Sequence, residues 1–221
     1  MRLDEYLVKK GYFSSRQIAK ENVRRGMVLV NNFLVKKPSK QVSYEDEVVV
    51  LGLDVPKGYW KLKAIDEEFK LFSGKETVLD LGSSAGGFLL YASEKAKFVY
   101  GIEFSRDFED VLRKIERERK NVKVFIANVF NFDLNLLPSL DLILNDLSLP
   151  FESSMKALGM FSSKLKDDGR VLFVCKGMKE REEFDGFEVV KKMVLDKKEI
   201  YYLLKSSKQV QQPPKQHLEL F

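Results

Sequence analysis

The residues best placed to do chemistry lie at the ends of apolar runs in this chain of 221 residues. In Thr77-Val-Leu-Asp-Leu-Gly-Ser-Ser-Ala-Gly-Gly-Phe88 an apolar run reaches Asp80, then Gly82, Ser83, Ala85, Gly86 and Gly87, before a helix-like run opens at Phe88. That order predicts a glycine turn at the carboxyl end of a buried parallel strand, where open α/β sheets bind ligands. Glycines there let the backbone approach a ligand closely. Their spacing, Gly-x3-Gly-Gly, differs from the Gly-x-Gly-x2-Gly of dinucleotide sites, which argues against a dehydrogenase. Asp80 would repel a pyrophosphate but attract a cationic, hydroxyl-bearing ligand. S-adenosylmethionine, with an ammonium, a sulfonium and a ribose but no phosphate, is such a ligand. A tight strand-to-helix turn without a ligand would use the same glycines. Glu103, ending Val-Tyr-Gly-Ile-Glu, is placed either to accept from both ribose hydroxyls or to sit as a surface carboxylate. Asn128, in Phe-Ile-Ala-Asn, could meet an adenine edge or merely end its strand. Lys61, Asp146, Lys176 and Glu199 complete the set; each taken alone reads most simply as a solvated charge.

The elements that must position these residues follow from the pattern of apolar runs. Strands are expected at 77–81, 98–103, 122–128, 140–145, 170–175, 187–195 and 199–205, and helices near 61–72, 86–95, 107–119, 152–166 and 178–184. This alternation predicts an α/β fold with a mostly parallel sheet covered by helices on both faces. The last two strands lie close enough in sequence to pair as an antiparallel hairpin. Ahead of this domain, Leu3, Tyr6 and Leu7 repeat at helical spacing up to a stop at Gly11. Ser14 or Ser15 can cap a second helix that ends at Gly26. Short strands follow at 27–30, 33–35 and 47–51, with a turn at Asn31-Asn32. The boundaries expected are a small α+β module over 1–51, a joint over 52–58, the larger domain over 59–205 and a tail over 206–221.

Composition narrows the function classes. Residues 1–50 hold ten Lys/Arg against six Asp/Glu, so most of the net charge of +5 lies there. Arg16, Lys20 and Arg24 fall at i, i+4 and i+8 of the second helix, with Arg25, Lys36 and Lys37 nearby. Such a face suits a phosphate backbone, although a basic helix can also be merely solvated. With one cysteine, Cys175, and one histidine, His217, no internal disulfide or zinc site is expected, and no metal is called for. No signal peptide or apolar run of membrane-spanning length is legible, so a cytoplasmic protein without membrane association is the expectation.

Arg2-Leu3-Asp4, Ser15-Arg16, Arg24-Arg25-Gly26 and Val28-x-Val30-Asn31 together resemble the S4 RNA-binding domain. That resemblance implies that structured RNA is bound through Arg2, Ser15, Arg16, Lys20, Arg24, Arg25, Lys36 and Lys37. The larger domain resembles the FtsJ-like 2′-O-ribose methyltransferases, through Trp60-Lys61-Leu62, Asp80–Gly87, Asn145-Asp146-Leu147-Ser148, Val174-Cys175-Lys176 and Glu199-Ile200-Tyr201. An S4-like module ahead of such a domain is similar to the TlyA family, methyltransferases of cytidine 2′-hydroxyls in ribosomal RNA that older naming calls haemolysins. The sequence departs from the family pattern at Gly177, where a proline is usual, and at Pro56-Lys57-Gly58, where Ser-Arg-Gly is usual. The segment between Lys176 and Glu199 is also short.

The resemblance implies a Rossmann-like sheet and S-adenosylmethionine held by Asp80, Gly82, Ser83, Ala85, Gly86, Gly87, Phe88, Glu103, Asn128 and Asp146. It implies a catalytic tetrad of Lys61, Asp146, Lys176 and Glu199, acting on ribosomal RNA or ribosomal subunits. Lys63 competes with Lys61; Lys61 is preferred because it directly follows Tyr59-Trp60. A ribose hydroxyl is a weak nucleophile, so charge must be placed around the developing alkoxide. On this expectation Lys176, its pKa lowered, orients and helps deprotonate the hydroxyl, while Asp146 and Glu199 position the two ammoniums. The alternatives are an RNA-binding protein with an inactive methyltransferase-like domain and, far less favoured, a membrane-active haemolysin.

Overall fold

A computed structural model describes residues 1–10, 12–13, 15–51, 55–177, 179–196 and 199–207. Gly11, Ser14, the joint residues 52–54 and the tail from 208 onward, including His217, lie outside the described residues. The chain divides into two compact units, Met1–Pro56 and Lys57–Phe221.

In the first unit, α1 (Leu3–Lys9) and α2 (Arg16–Arg24) precede β1 (Val28–Val30), β2 (Phe33–Val35) and β3 (Val48–Val50). Leu3, Tyr6 and Leu7 share one helical face and are buried with Ala19, Val23, Val28 and Val30 in a single core. Ser15 caps α2, its Oγ accepting the Ile18 N–H at 3.3 Å. Asn31 and Asn32 both take positive φ, which lets a two-residue turn set β2 antiparallel to β1 with Val30 opposite Phe33. β3 pairs on the other side, so the sheet order is β2-β1-β3.

The second unit runs α3 (Lys57–Phe69), β4 (Thr77–Leu81), α4 (Gly87–Lys95), β5 (Phe98–Glu103), α5 (Glu109–Glu118), β6 (Val122–Ile126), β7 (Leu140–Asn145), α6 (Phe151–Phe161), β8 (Leu165–Lys176), β9 (Phe187–Asp196) and β10 (Glu199–Ser206). The strands form one seven-stranded sheet of order β6-β5-β4-β7-β8-β10-β9. The first five are parallel, and β10 lies antiparallel between β8 and β9. Strand side chains alternate between two cores: Leu79, Ile143, Val171 and Phe173 join α6 on one face, while Val78, Leu142, Leu144 and Leu172 meet α3, α4 and α5 on the other. Burial on both faces is why these strands read as continuous apolar runs.

Several boundaries move. α3 begins at Lys57, so Lys57 and Gly58 are helical rather than part of a joint. β6 stops at Ile126, short of Asn128, because the Asn128 Oδ1 accepts the Phe130 N–H at 3.0 Å and caps a 3₁₀ turn. β8 starts five residues before Arg170, at Leu165. The helix expected over 178–184 is absent from the described residues 179–184. Phe184 is instead drawn into an aromatic cluster with Phe151, Phe173 and Tyr202, at centroid distances of 5.5, 5.5 and 4.8 Å. The Arg181 N–H donates to the Tyr202 hydroxyl at 2.9 Å, which ties this segment to β10. Among the described residues no helix is long and apolar enough to cross a membrane.

Candidate active site

Four elements deliver one charged residue each to the carboxyl edge of the parallel strands. Lys61 projects from α3, Asp146 directly follows β7, Lys176 ends β8 and Glu199 begins β10. The antiparallel register sets Glu199 directly opposite Lys176. The side chains close into a ring of alternating sign. Lys61 Nζ lies 2.8 Å from Asp146 Oδ2 and 2.7 Å from Glu199 Oε2. Lys176 Nζ donates to Asp146 Oδ1 and lies 2.8 Å from Glu199 Oε1. Lys63 is elsewhere, its ammonium 5.3 Å from the centre of the Trp60 ring.

The ring rests on aromatic groups. Lys61 Nζ stands 5.6 Å above Phe88 and 5.5 Å above Tyr201, contacts that favour the cation. The Tyr201 hydroxyl donates to Glu199 Oε2 at 2.6 Å. Burial pushes the Glu199 carboxyl up, but donation from Lys176, Lys61 and Tyr201 outweighs it and takes the pKa down to about 2. For Lys176 burial acts downward, yet the charges and hydrogen bonds of Asp146 and Glu199 win and the pKa is raised. The lowered lysine pKa expected from the sequence is therefore reversed: two carboxylates hold Lys176 as an ammonium.

Beside the ring lies the turn after β4. Asp80 is fully buried and neither carboxylate oxygen has a hydrogen-bond partner among the described residues. Burial, with added repulsion from Asp146 and Glu103, pushes its pKa up to about 8, and the nearby Ser83 hydroxyl donates to the Asp80 main-chain carbonyl at 3.3 Å, not to the carboxyl. Gly82, Ser84 and Gly86 all take positive φ. The Ser84 N–H donates to Glu103 Oε2 and the Ser105 N–H to Oε1, each at 2.7 Å, so Glu103 ties the turn to the end of β5. A Cβ on Gly87 would lie 2.6 Å from the Tyr59 nitrogen. That bare backbone is what allows α4 to press against the first turn of α3 and set Lys61 at the edge.

Not every expected ligand contact faces outward. Ser83, Gly86, Gly87 and Phe88 are buried and shape the turn, whereas Gly82 and Ala85 are partly exposed. Asn128 is partly exposed, its side-chain oxygen engaged as a cap. Sequence reasoning included Tyr201 in the Glu199-Ile200-Tyr201 motif but gave it no role, whereas here its hydroxyl holds Glu199. It missed Ser84, whose N–H donates to Glu103 Oε2. No group of three or more His, Cys, Asp or Glu suited to a metal occurs among the described residues.

In the first unit the expected cations separate into two groups. Arg2, Arg16 and Lys20 converge on the carboxylate of Asp4. Arg24 is exposed at the end of α2, Arg25 pairs with Glu21, and Lys36 and Lys37 are exposed after β2. Ser15 is occupied as the α2 cap.

Residues 55–201, two thirds of the chain, match the model of the FtsJ-like methyltransferases, and residues 1–48 match the S4 domain. The chain belongs to the FtsJ-like methyltransferase family. This FtsJ-like chain is similar to Hemolysin A of Brachyspira hyodysenteriae, 29% identical over 127 residues that make up 56% of the chain and 52% of that protein. It is also similar to YqxC of Bacillus subtilis (strain 168), provisionally named an rRNA methyltransferase, 31% identical over 106 residues, 46% of the chain and 38% of that protein. The chain thus spans about half or less of the length of these curated relatives. A solved structure from Streptococcus thermophilus, provisionally named a hemolysin, shares the fold with a TM-score of 0.59 at 20% identity, over 95% of this chain and 89% of that one.

Proposed function

We propose that this FtsJ-like chain is an S-adenosylmethionine-dependent methyltransferase of ribosomal RNA that acts on a ribose 2′-hydroxyl, a cytidine being the nucleotide its family resemblance favours. The observation that carries the reading is the closed Lys61–Asp146–Lys176–Glu199 ring beside the turn that holds Asp80. The residues of the turn fit the cofactor. Asp80 presents a buried carboxyl neither of whose oxygens has a hydrogen-bond partner, an arrangement that is costly until a ligand supplies one. Glu103 spends one lone pair per oxygen on backbone N–H groups and keeps others for ribose hydroxyls. Bound there, S-adenosylmethionine would supply an electrophilic methyl group.

The chain's own residues do the rest. Lys176 enters as an ammonium, so its part is to donate to a lone pair of the incoming hydroxyl and fix its direction, not to remove its proton. No strong base is required, because an oxygen becoming bonded to a third group sheds its proton readily to a carboxylate or to water. Asp146 and Glu199 fix both ammoniums, and Tyr201 with Phe88 holds Lys61 from beneath. Fixing the hydroxyl in line accounts for much of the acceleration. The cationic first unit supports RNA as the partner, and ribosomal RNA as substrate implies a cytoplasmic protein. Purified ribosomal subunits and naked ribosomal RNA, incubated with the chain and methyl-labelled cofactor, are expected to acquire label at a linkage resistant to alkaline hydrolysis. Label on a base, or none despite calorimetric binding of the cofactor, would overturn the assignment.

A further inference from the structure

An acid lies at the centre of the basic N-terminal unit. Asp4 is fully buried. Its carboxylate accepts from Arg2 Nε at 2.9 Å and Arg2 Nη2 at 3.3 Å, and from Arg16 Nη2 at 3.0 Å. Lys20 Nζ lies 3.8 Å away. The second terminal nitrogen of Arg16 reaches Glu5 at 2.9 Å. All three cations keep an outward side, at 38, 47 and 39% exposure. They come from the first residues of the chain and from two successive turns of α2, and like charges gathered so closely repel one another. The carboxylate they share is what holds them together. Burial pushes the Asp4 carboxyl up, but hydrogen bonds from Arg2 and Arg16 outweigh that and hold it below its usual range, so it stays ionised at neutral pH.

We propose that Asp4 is the positioning residue of a discrete phosphate-binding site. From the buried side it aims the unused donors of Arg2, Arg16 and Lys20 outward, onto the backbone of an RNA. Guanidinium forks suit a phosphate when their orientation is fixed, since two N–H groups then reach it together. The other cationic group, around Arg24, Arg25 and Lys36, has no such buried anchor among the described residues. This inference rests on the reading of RNA as substrate and adds a consequence that charge alone does not predict: an acid raises affinity for a polyanion.

The test is equilibrium binding of the full chain to a fluorescently labelled RNA stem-loop, without cofactor, across a salt series. Removing a negative charge in Asp4→Asn should tighten binding and steepen its salt dependence if net charge governs. We expect the reverse: affinity on the order of tenfold weaker, and a log–log salt slope shallower by about one phosphate contact. Combining Asp4→Asn with Arg16→Gln should cost little more than either alone, whereas combining it with the exposed Arg24→Gln should be additive. Circular dichroism establishes that each variant is folded. If Asp4→Asn does not fold, Arg16→Lys decides, since it keeps the charge but loses the fork. A roughly threefold loss supports positioning, and unchanged affinity overturns it. Unchanged or tighter binding by folded Asp4→Asn overturns the proposal, as does a wild-type chain that fails to bind the stem-loop at low salt. Binding without methyl transfer would count against the enzymatic reading alone.

Discussion

Asp80 should make the protein less stable than it need be. Its pKa rises from an ordinary 3.8 to about 8 on folding. The folded state therefore keeps a proton that the unfolded chain has lost, so stability falls as pH climbs from 3.8 towards about 8 and levels off outside that window. The slope is about 1.4 kcal/mol per pH unit. At pH 7 the deficit is on the order of 4 kcal/mol, and at pH 5 under half of that. Asn at this position removes the charge while leaving an equally buried, equally unpartnered polar group, so the difference isolates ionisation. Asp80→Asn is expected to raise the melting temperature by roughly 10 °C at pH 7 for a chain of this size. The gain should shrink steadily towards pH 4. The same variant should bind S-adenosylmethionine at least about tenfold more weakly by calorimetry. Thermal unfolding of both proteins from pH 4 to 8.5 provides the test. An Asn variant no more stable than the wild type, or a difference that ignores pH, would show that Asp80 is not a lone buried carboxyl.

Other residues give sharper yes-or-no answers. Lys176→Ala should abolish methyl transfer while cofactor binding, measured by calorimetry, is retained; transfer at the wild-type rate would remove Lys176 from the mechanism. Lys61→Ala should behave the same way, whereas Lys63→Ala, remote from the ring, should keep its rate under identical assay. Glu199 has a depressed pKa, so its share of stability is present above 4.5 and lost as pH falls through about 2; Glu199→Gln should flatten acid unfolding in that interval. Gly86→Ala forces a side chain onto a φ of +80° with its Cβ 2.2 Å from Ile115 Cδ1. We expect a loss of about 2 kcal/mol or more in chemical denaturation.

The strands that carry the site were legible because each is buried on both faces. Thr77–Leu81, Phe98–Glu103 and Leu140–Asn145 occur where their apolar runs place them. The charged stretch Lys179–Glu183 misled for the opposite reason. It has helix-forming residues, but local propensity yields to the burial of Phe184 and to the Arg181–Tyr202 hydrogen bond. The four ring residues could be found through family resemblance, but nothing in their spacing reveals that they touch. Lys61 and Glu199 are 138 positions apart, and their contact depends on the insertion of β10 between β8 and β9. Nor does a sequence reveal the direction of a pKa shift: whether burial or counter-charge controls Lys176 depends on distances of a few ångströms.

The ring has a consequence that reaches beyond its own contacts. Two ammoniums and two carboxylates cancel, so the ring itself carries no monopole. Its potential fades over a few ångströms, and dissolved ions, which screen over roughly 8–10 Å at ordinary ionic strength, scarcely alter it. Whatever draws a polyanion to this protein must then come from other surfaces. Capture and turnover become separable quantities: raising salt should move KM while kcat holds nearly still.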